Sequence, residues 1–291
     1  MKHRQEIVFA TNFSDSCYRA IPSVASWVDT LKAKLTILHV CDPKKNSVRT
    51  AELHLKSFFA EADLFGRCER LLKIGDPYGG ISEYASTHPG ALLVMPPSDR
   101  VGFPRPFHQS IRAKLLKEHT CPVWTMGQPV EGLFAGNSEE NVACWLDDPE
   151  DGLTHVREAA SLAAYKKTRL HLLYAVPGIE ELDEGVLHKV LTSESPLGEE
   201  YAQDWLDSIG GSLGIDYEVH VCAGNPKRAL PKMLKKIGAS VLLVSRNSAI
   251  ADHMFGTKFH PALDACDRAI ICLPPTSRLL IVHPARQLQA A

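Results

Sequence analysis

Residues 6–16 read EIVFATNFSDS, and residues 141–151 read NVACWLDDPED. Each is a short apolar run that breaks into a polar turn, and the two are offset by 135 positions. The same offset relates LTILHV at 35–40 to LHLLYA at 170–175. Further on, GDP at 75–77 answers to GNP at 224–226 at an offset of 149, and LLVM at 92–95 to LLVS at 242–245 at an offset of 150. Self-similarity of this kind sets domain number before any motif is weighed. The chain reads as one α/β unit written twice.

Between these landmarks the period of the apolar residues alternates. Ile7–Ala10, Leu35–Val40, Cys68–Ile74, Ala91–Met95 and Pro122–Met126 read as strands. Ala20, Val24, Val28 and Leu31 recur at helical spacing, and Leu55, Phe58, Phe59, Ala62 and Phe65 mark one face of a long helix. Gly75-Asp76-Pro77 suits a helix start, with Pro77 in the first turn. The second half repeats the succession with strands at 142–146, 170–176, 217–222, 241–245 and 269–273, and helices at 151–166, 197–209, 226–237 and 257–266. Strand–helix alternation of this kind gives parallel sheets with helices on both faces. The fold class is therefore α/β, as two tandem doubly wound, open, parallel five-stranded sheets. The divisions are 1–128 for the first domain, 129–140 for a Gly-, Asn- and Ser-containing linker, 141–276 for the second domain and 277–291 for a tail. The rise in offset inserts about 14 residues into the second domain, around an acidic stretch at 177–196 that is either a lid or a solvated surface insertion. In the tail, Leu279–Val282 pairs on a sheet edge, makes a dimer contact or packs within the chain.

Composition excludes several classes. The 291 residues suit two domains, 45% are hydrophobic and 23% charged, and the net charge of −2 offers no bulk attraction to nucleic acid or anionic lipid. The N-terminal apolar run is too short for a signal peptide core, and no stretch approaches the ~20 apolar residues of a membrane span, so a cytoplasmic location is expected. Eight cysteines form no C-x-x-C pair and read as buried reduced thiols. His253 and His260 flank Gly256 at a spacing that matches no zinc pattern; His220 reads as packed or exposed rather than ligating, and no metal is expected.

The order of motifs resembles the universal stress protein family in its tandem form, through ATNFSDS at 10–16, GDP and GNP, LLVM, and CPVW at 121–124. The resemblance implies a nucleotide-binding α/β sheet with ATP, in some members, at the strand carboxyl ends, held by a loop of pattern G-x2-G-x9-G-[ST]. Glycines there let backbone N–H groups approach phosphate, and the helix N-terminus adds partial positive charge. Both copies depart from the pattern. In the first, Pro96, Asp99 and Gln109 stand at the glycine positions, followed by Ser110, and Asn12 replaces the aspartate that usually ends the first strand. Proline removes a donor and Asp99 adds negative charge, so this half is not expected to bind ATP. The second copy keeps Asp147 and the pair Gly256-Thr257, but Arg246 and Ala249 replace the other glycines and the spacing is shorter. Asp147, Arg246, Gly256 and Thr257 are its candidate nucleotide or anion site, with Arg246 able to meet a phosphate.

No catalytic set is assembled. His108 and Ser110 point apart on a helix, and there is no G-x-S-x-G elbow. GGS at 210–212 follows a helical stretch and reads as a helix stop. The expected function is a non-enzymatic stress-response binding protein with degenerate sites, ATP or another adenine nucleotide being its optional ligand. A structural or interaction protein without a nucleotide is the alternative, and a hydrolase or transferase on the same fold a weaker one. The halves are expected to pair about a pseudo-twofold axis, with a homodimer as a further option.

Overall fold

The computed structural model describes residues 5–96, 111–118, 121–126, 141–146, 153–176, 199–223, 226–246 and 269–274. The linker at 129–140, the acidic stretch at 177–196, the helix expected at 257–266 and the tail lie outside them.

The apolar runs become strands β1 (Glu6–Ala10), β2 (Lys34–Cys41), β3 (Cys68–Ile74), β4 (Leu92–Val94) and β5 (Val123–Met126) in the first half. Those of the second are β6 (Asn141–Trp145), β7 (Leu170–Val176), β8 (Tyr217–Ala223), β9 (Ala239–Ser245) and β10 (Ala269–Leu273). Helices α1 (Asp15–Leu31), α2 (Val48–Ser57), α3 (Pro77–Thr87), α4 (Ile111–Glu118), α5 (Leu153–Lys166), α6 (Glu199–Gly211) and α7 (Pro226–Ile237) connect them.

Each half is a parallel sheet, and the two are not separate. β5 pairs with β10 in antiparallel register, Trp124 opposite Ile271 and Thr125 opposite Ile270. The result is one ten-stranded sheet in the order β3-β2-β1-β4-β5-β10-β9-β6-β7-β8. Read inward from either edge, the succession is third, second, first, fourth and fifth strand of that half. Helices on both faces explain why the central strands are apolar almost throughout, for a parallel sheet has no solvated face. One face buries Ile7, Phe9, Leu35, Trp124, Cys144 and Ile271. The other buries Val8, Leu38, Leu93, Trp145, Leu242 and Ile270. Alternate residues of one strand thus serve opposite layers.

Local chemistry sets the boundaries. Asp76 caps α3, its Oδ2 accepting from the Gly79 N–H at 2.9 Å, and Pro77 occupies the first turn, where its missing N–H costs nothing. α6 runs out through Gly210 and Gly211, so the GGS triplet is a helix end. A Cβ on Gly210 would stand 2.3 Å from the Tyr217 ring, and this close approach of helix to strand requires glycine. The long helix expected across Leu55–Phe65 is corrected: α2 ends at Ser57, Phe58 turns extended, Phe59 takes φ 52, and a short 3-10 helix covers Ala60–Phe65. The break buries both Phe58 and Phe59, which a continuous helix would set about 100° apart on its surface. Arg70 holds it, donating to the Leu55 and Phe59 carbonyls at 3.1 Å each.

Cys17, Cys41, Cys121, Cys144 and Cys272 are free and buried, and Cys68 is free and half-buried. Burial pushes the Cys121 thiol up to about 11 and those of Cys144 and Cys272 up to about 12. They are packing groups without thiolate character.

Trp124 lies in the strand that joins the halves and is almost fully buried. Trp124→Ala is expected to cost about 3–5 kcal/mol through the cavity it leaves. The loss should appear as one urea transition, with circular dichroism and fluorescence coincident; two separated transitions would mean that the shared sheet does not couple the halves.

Candidate functional site at the strand carboxyl ends

In an open α/β sheet, ligands meet the carboxyl ends of the strands where the strand order reverses. In the first half that point lies between β1 and β4, and in the second between β6 and β9.

At the first point the chain leaves β1 through Thr11, Asn12, Phe13 and Ser14. The Asn12 Oδ1 accepts from the Ser14 N–H at 3.1 Å and lies 3.2 Å from the Cys17 Sγ. The carboxamide is thereby folded back onto the first turn of α1 as a local capping group. Phe13 has φ 61, a left-handed conformation that costs a non-glycine residue roughly 1–2 kcal/mol. Its ring offsets that cost by packing over the His39 imidazole, 4.3 Å between centroids, and edge-on to Phe58 and His54 at 5.6 Å each. Tyr18 closes on Phe58 at 4.9 Å. This aromatic cluster spans the turn after β1, the end of β2, α1 and α2.

His39 is the cluster's buried polar member. Its Nδ1 lies 2.8 Å from the Thr11 carbonyl oxygen, which can only accept, so Nδ1 carries the proton. Burial holds its pKa below the usual 6.5, the Thr11 bond opposing and the charge of His54 reinforcing the shift. Pro96, just beyond β4, has no N–H to turn toward a ligand. Asp99, Gln109 and Ser110, and with them His108, lie outside the described residues.

At the second point only one of the four candidates is described. Arg246 follows the last residue of β9, and its backbone N–H donates to the Leu273 carbonyl at the end of β10, 2.8 Å away. That bond fixes the Arg246 backbone at the carboxyl end of β9, whose neighbour β6 ends in the buried Trp145 and Leu146. Asp147, Gly256 and Thr257 lie outside the described residues. Sequence reading missed Phe13, whose role depends on a positive φ that nothing in its residue type signals.

A shallow depression of about 430 Å³, lined by Glu6, Lys34, Arg67, Cys68 and Glu69, opens at the amino ends of the first-half strands. The ion pairs of Lys34 with Glu69 and Glu6 occupy it. It lies at the wrong end of the sheet for ligand chemistry of this fold, and the strand-end geometry is the better guide.

Among the described residues, no helix is long and apolar enough to cross a membrane. No protein-family model matches the chain, and no curated protein is detectably similar in sequence. Solved structures are similar in fold. A universal stress protein from Archaeoglobus fulgidus DSM 4304 superposes with a TM-score of 0.69 at 14% identity, over 92% of this chain and 96% of that one. A functionally unknown protein, PA1789, from Pseudomonas aeruginosa PAO1 superposes with a TM-score of 0.63 at 15% identity, over 94% and 93%. The likeness covers both halves and establishes the universal stress protein fold.

The Phe13 cover predicts a titration with a definite sign. His39 should titrate below 6.5 by NMR, and Phe13→Ala, which hydrates the ring, should move it up toward 6.5. A group whose folded pKa is depressed contributes in full above its unfolded value of 6.5. That contribution falls as the pH drops from 6.5 toward the folded value. The wild-type chain should therefore lose more stability than Phe13→Ala between pH 7.5 and 5.5, measured by urea midpoints; equal losses would mean that Phe13 does not shield His39.

Proposed function

We propose that this chain is a non-enzymatic regulatory binding protein on the universal stress protein fold, holding an adenine nucleotide such as ATP, or another phosphate-bearing anion, in its second half only. The contrast between the two switch points carries this reading. In the first, Asn12 is spent on a helix turn, an aromatic ring packs over the end of β2, and proline stands where a donor is wanted. In the second, the residue directly after β9 is Arg246, which carries a guanidinium. A guanidinium offers five donors in a fixed fork suited to phosphate oxygens. Asp147 and Gly256-Thr257, in the same half, complete the sequence case.

A structural or interaction role is the second reading, favoured for the first half by its aromatic cover. On either reading, the antiparallel join of β5 to β10 lets one chain do what a pair of subunits would do, and the halves act as a built-in dimer. No turnover is assigned. A nucleotide or ester hydrolysis rate that falls on changing His108 or Ser110 would overturn that.

Calorimetric titration of the full chain with ATP, ADP and AMP is the deciding experiment. One site per chain is expected, weakened at least about tenfold by Arg246→Ala, the scale of a lost charge-assisted hydrogen bond. Phe13→Ala should leave that affinity unchanged. Absence of heat and of any thermal shift with all three nucleotides would sink the nucleotide reading and leave the interaction protein.

A further inference from the structure

We propose that His171, Glu218 and His220 form a binding site for zinc or a similar late first-row divalent metal ion, tying the outermost strand β8 to β7. The site lies near the amino ends of these strands, away from the carboxyl-end cleft, and does not depend on nucleotide binding.

The parallel register creates it. His171 stands opposite Glu218, and His220 stands two residues further along β8, on the same face of the strand. The His171 Nδ1 and His220 Nε2 are 2.9 Å apart, with the rings stacked at 5.1 Å between centroids. Each of these nitrogens lies 3.8 Å from a Glu218 carboxylate oxygen. One ligand atom from each residue fits within 4.8 Å of the other two. Zinc takes imidazole nitrogen and carboxylate oxygen at about 2.0–2.2 Å, so tetrahedral ligands sit about 3.3 Å apart. The two nitrogens must part by a few tenths of an ångström, one Glu218 oxygen must close from 3.8 Å on one of them and up to 4.8 Å on the other, and the rings must turn so that both lone pairs meet the metal. Two imidazoles and one carboxylate are a zinc-type donor set that leaves a position for water.

The repeat supplies an internal comparison. At the matching places the first half has Thr36, Glu69 and Leu71, with Thr36 opposite Glu69 in the same register. Both halves cross the edge pair with an ion pair, Lys34 to Glu69 at 2.6 Å and Arg169 to Glu218 at 3.3 Å. The carboxylate is therefore explained without a metal, and the two histidines are what the second half adds. His171 is 5% exposed, and its Nε2 has no hydrogen-bond partner among the described residues. The threonine of the first half avoids that orphan, its hydroxyl donating to Glu6 at 2.6 Å. Burial lowers the proton affinity of both imidazoles, with the His220 ring and Arg169 adding to the effect at His171 and Lys236 of α7 at His220; Glu218 opposes it at both. The charges of Arg169 and Lys236 work against a cation, and Glu218, about half exposed, gives it both a counter-charge and a route from solvent.

Zinc chloride titrated into the full chain by calorimetry should show one saturable site per chain and a higher thermal midpoint. His171→Thr with His220→Leu installs the residues of the first half. It should abolish that site, weakening zinc at least about 100-fold, beyond the 10–100-fold typical of losing an outer-shell partner. No saturable binding to the wild type, or equal binding to the double variant, would overturn the proposal. If the double variant fails to fold, cobalt(II) decides on the wild type, with His220→Gln used to assign the ring resonances. Paramagnetic shifts of the His171 and His220 rings support the site, and shifts confined to other histidines refute it.

Discussion

The antiparallel pairing of β5 with β10 is the constraint on which the rest of the sheet depends. Each half, taken alone, would end on an apolar fifth strand, VWTM at 123–126 or AIICL at 269–273, with unpaired N–H and C=O groups along one side. Such an edge invites pairing with another chain. Placing the two fifth strands against each other satisfies both ladders and leaves β3 and β8 as the outer strands. The junction also fixes how the faces continue. Trp124 and its partner Ile271 enter one core layer, while Ile270 enters the other, so both layers run unbroken across the join.

The two remaining edges are where charge concentrates. β3 carries Glu69, Arg70 and Lys73, and β8 carries Glu218 beside His220. Ion pairs reach from these edges to the neighbouring strand in both halves. Exposed pairs of this kind are worth at most about 1 kcal/mol. Their service is to keep a strand edge polar, and so unattractive to further pairing. The central strands can be almost wholly apolar because the edges carry this burden.

How much of this the residues disclose depends on the range of the interaction. Strand positions are legible because each apolar run is local, and the described strands lie where those runs lie. Helix starts are legible where one residue type performs the task, as Asp76 and Pro77 do for α3. The break after α2 was not, since Phe58 and Phe59 keep a helical spacing while a distant residue, Arg70, holds their carbonyl region in another shape. Nor was Phe13, because an aromatic residue at positive φ is held by partners on β2 and α2. His171 and His220 are 49 positions apart, which matches no metal-ligand spacing; only the register of β7 against β8 makes them neighbours. Of the candidate site in the second half, Arg246 is the one described residue, and the remaining candidates rest on the sequence.

The halves therefore share a scaffold and differ where the scaffold leaves freedom. The central strands are constrained on both faces of the sheet, because alternate side chains enter opposite core layers. The turns after the first strands and the outer strand pairs carry no such double constraint. There the first half has Asn12, Phe13 and a threonine–glutamate pair, while the second has Arg246 after β9 and a histidine–glutamate–histidine group. The aromatic cover over His39 and the histidine pair on β7 and β8 lie in opposite halves, one at the carboxyl end and one near the amino end of its strands. Both places lie away from β5 against β10, the strand pairing that joins the halves among the described residues.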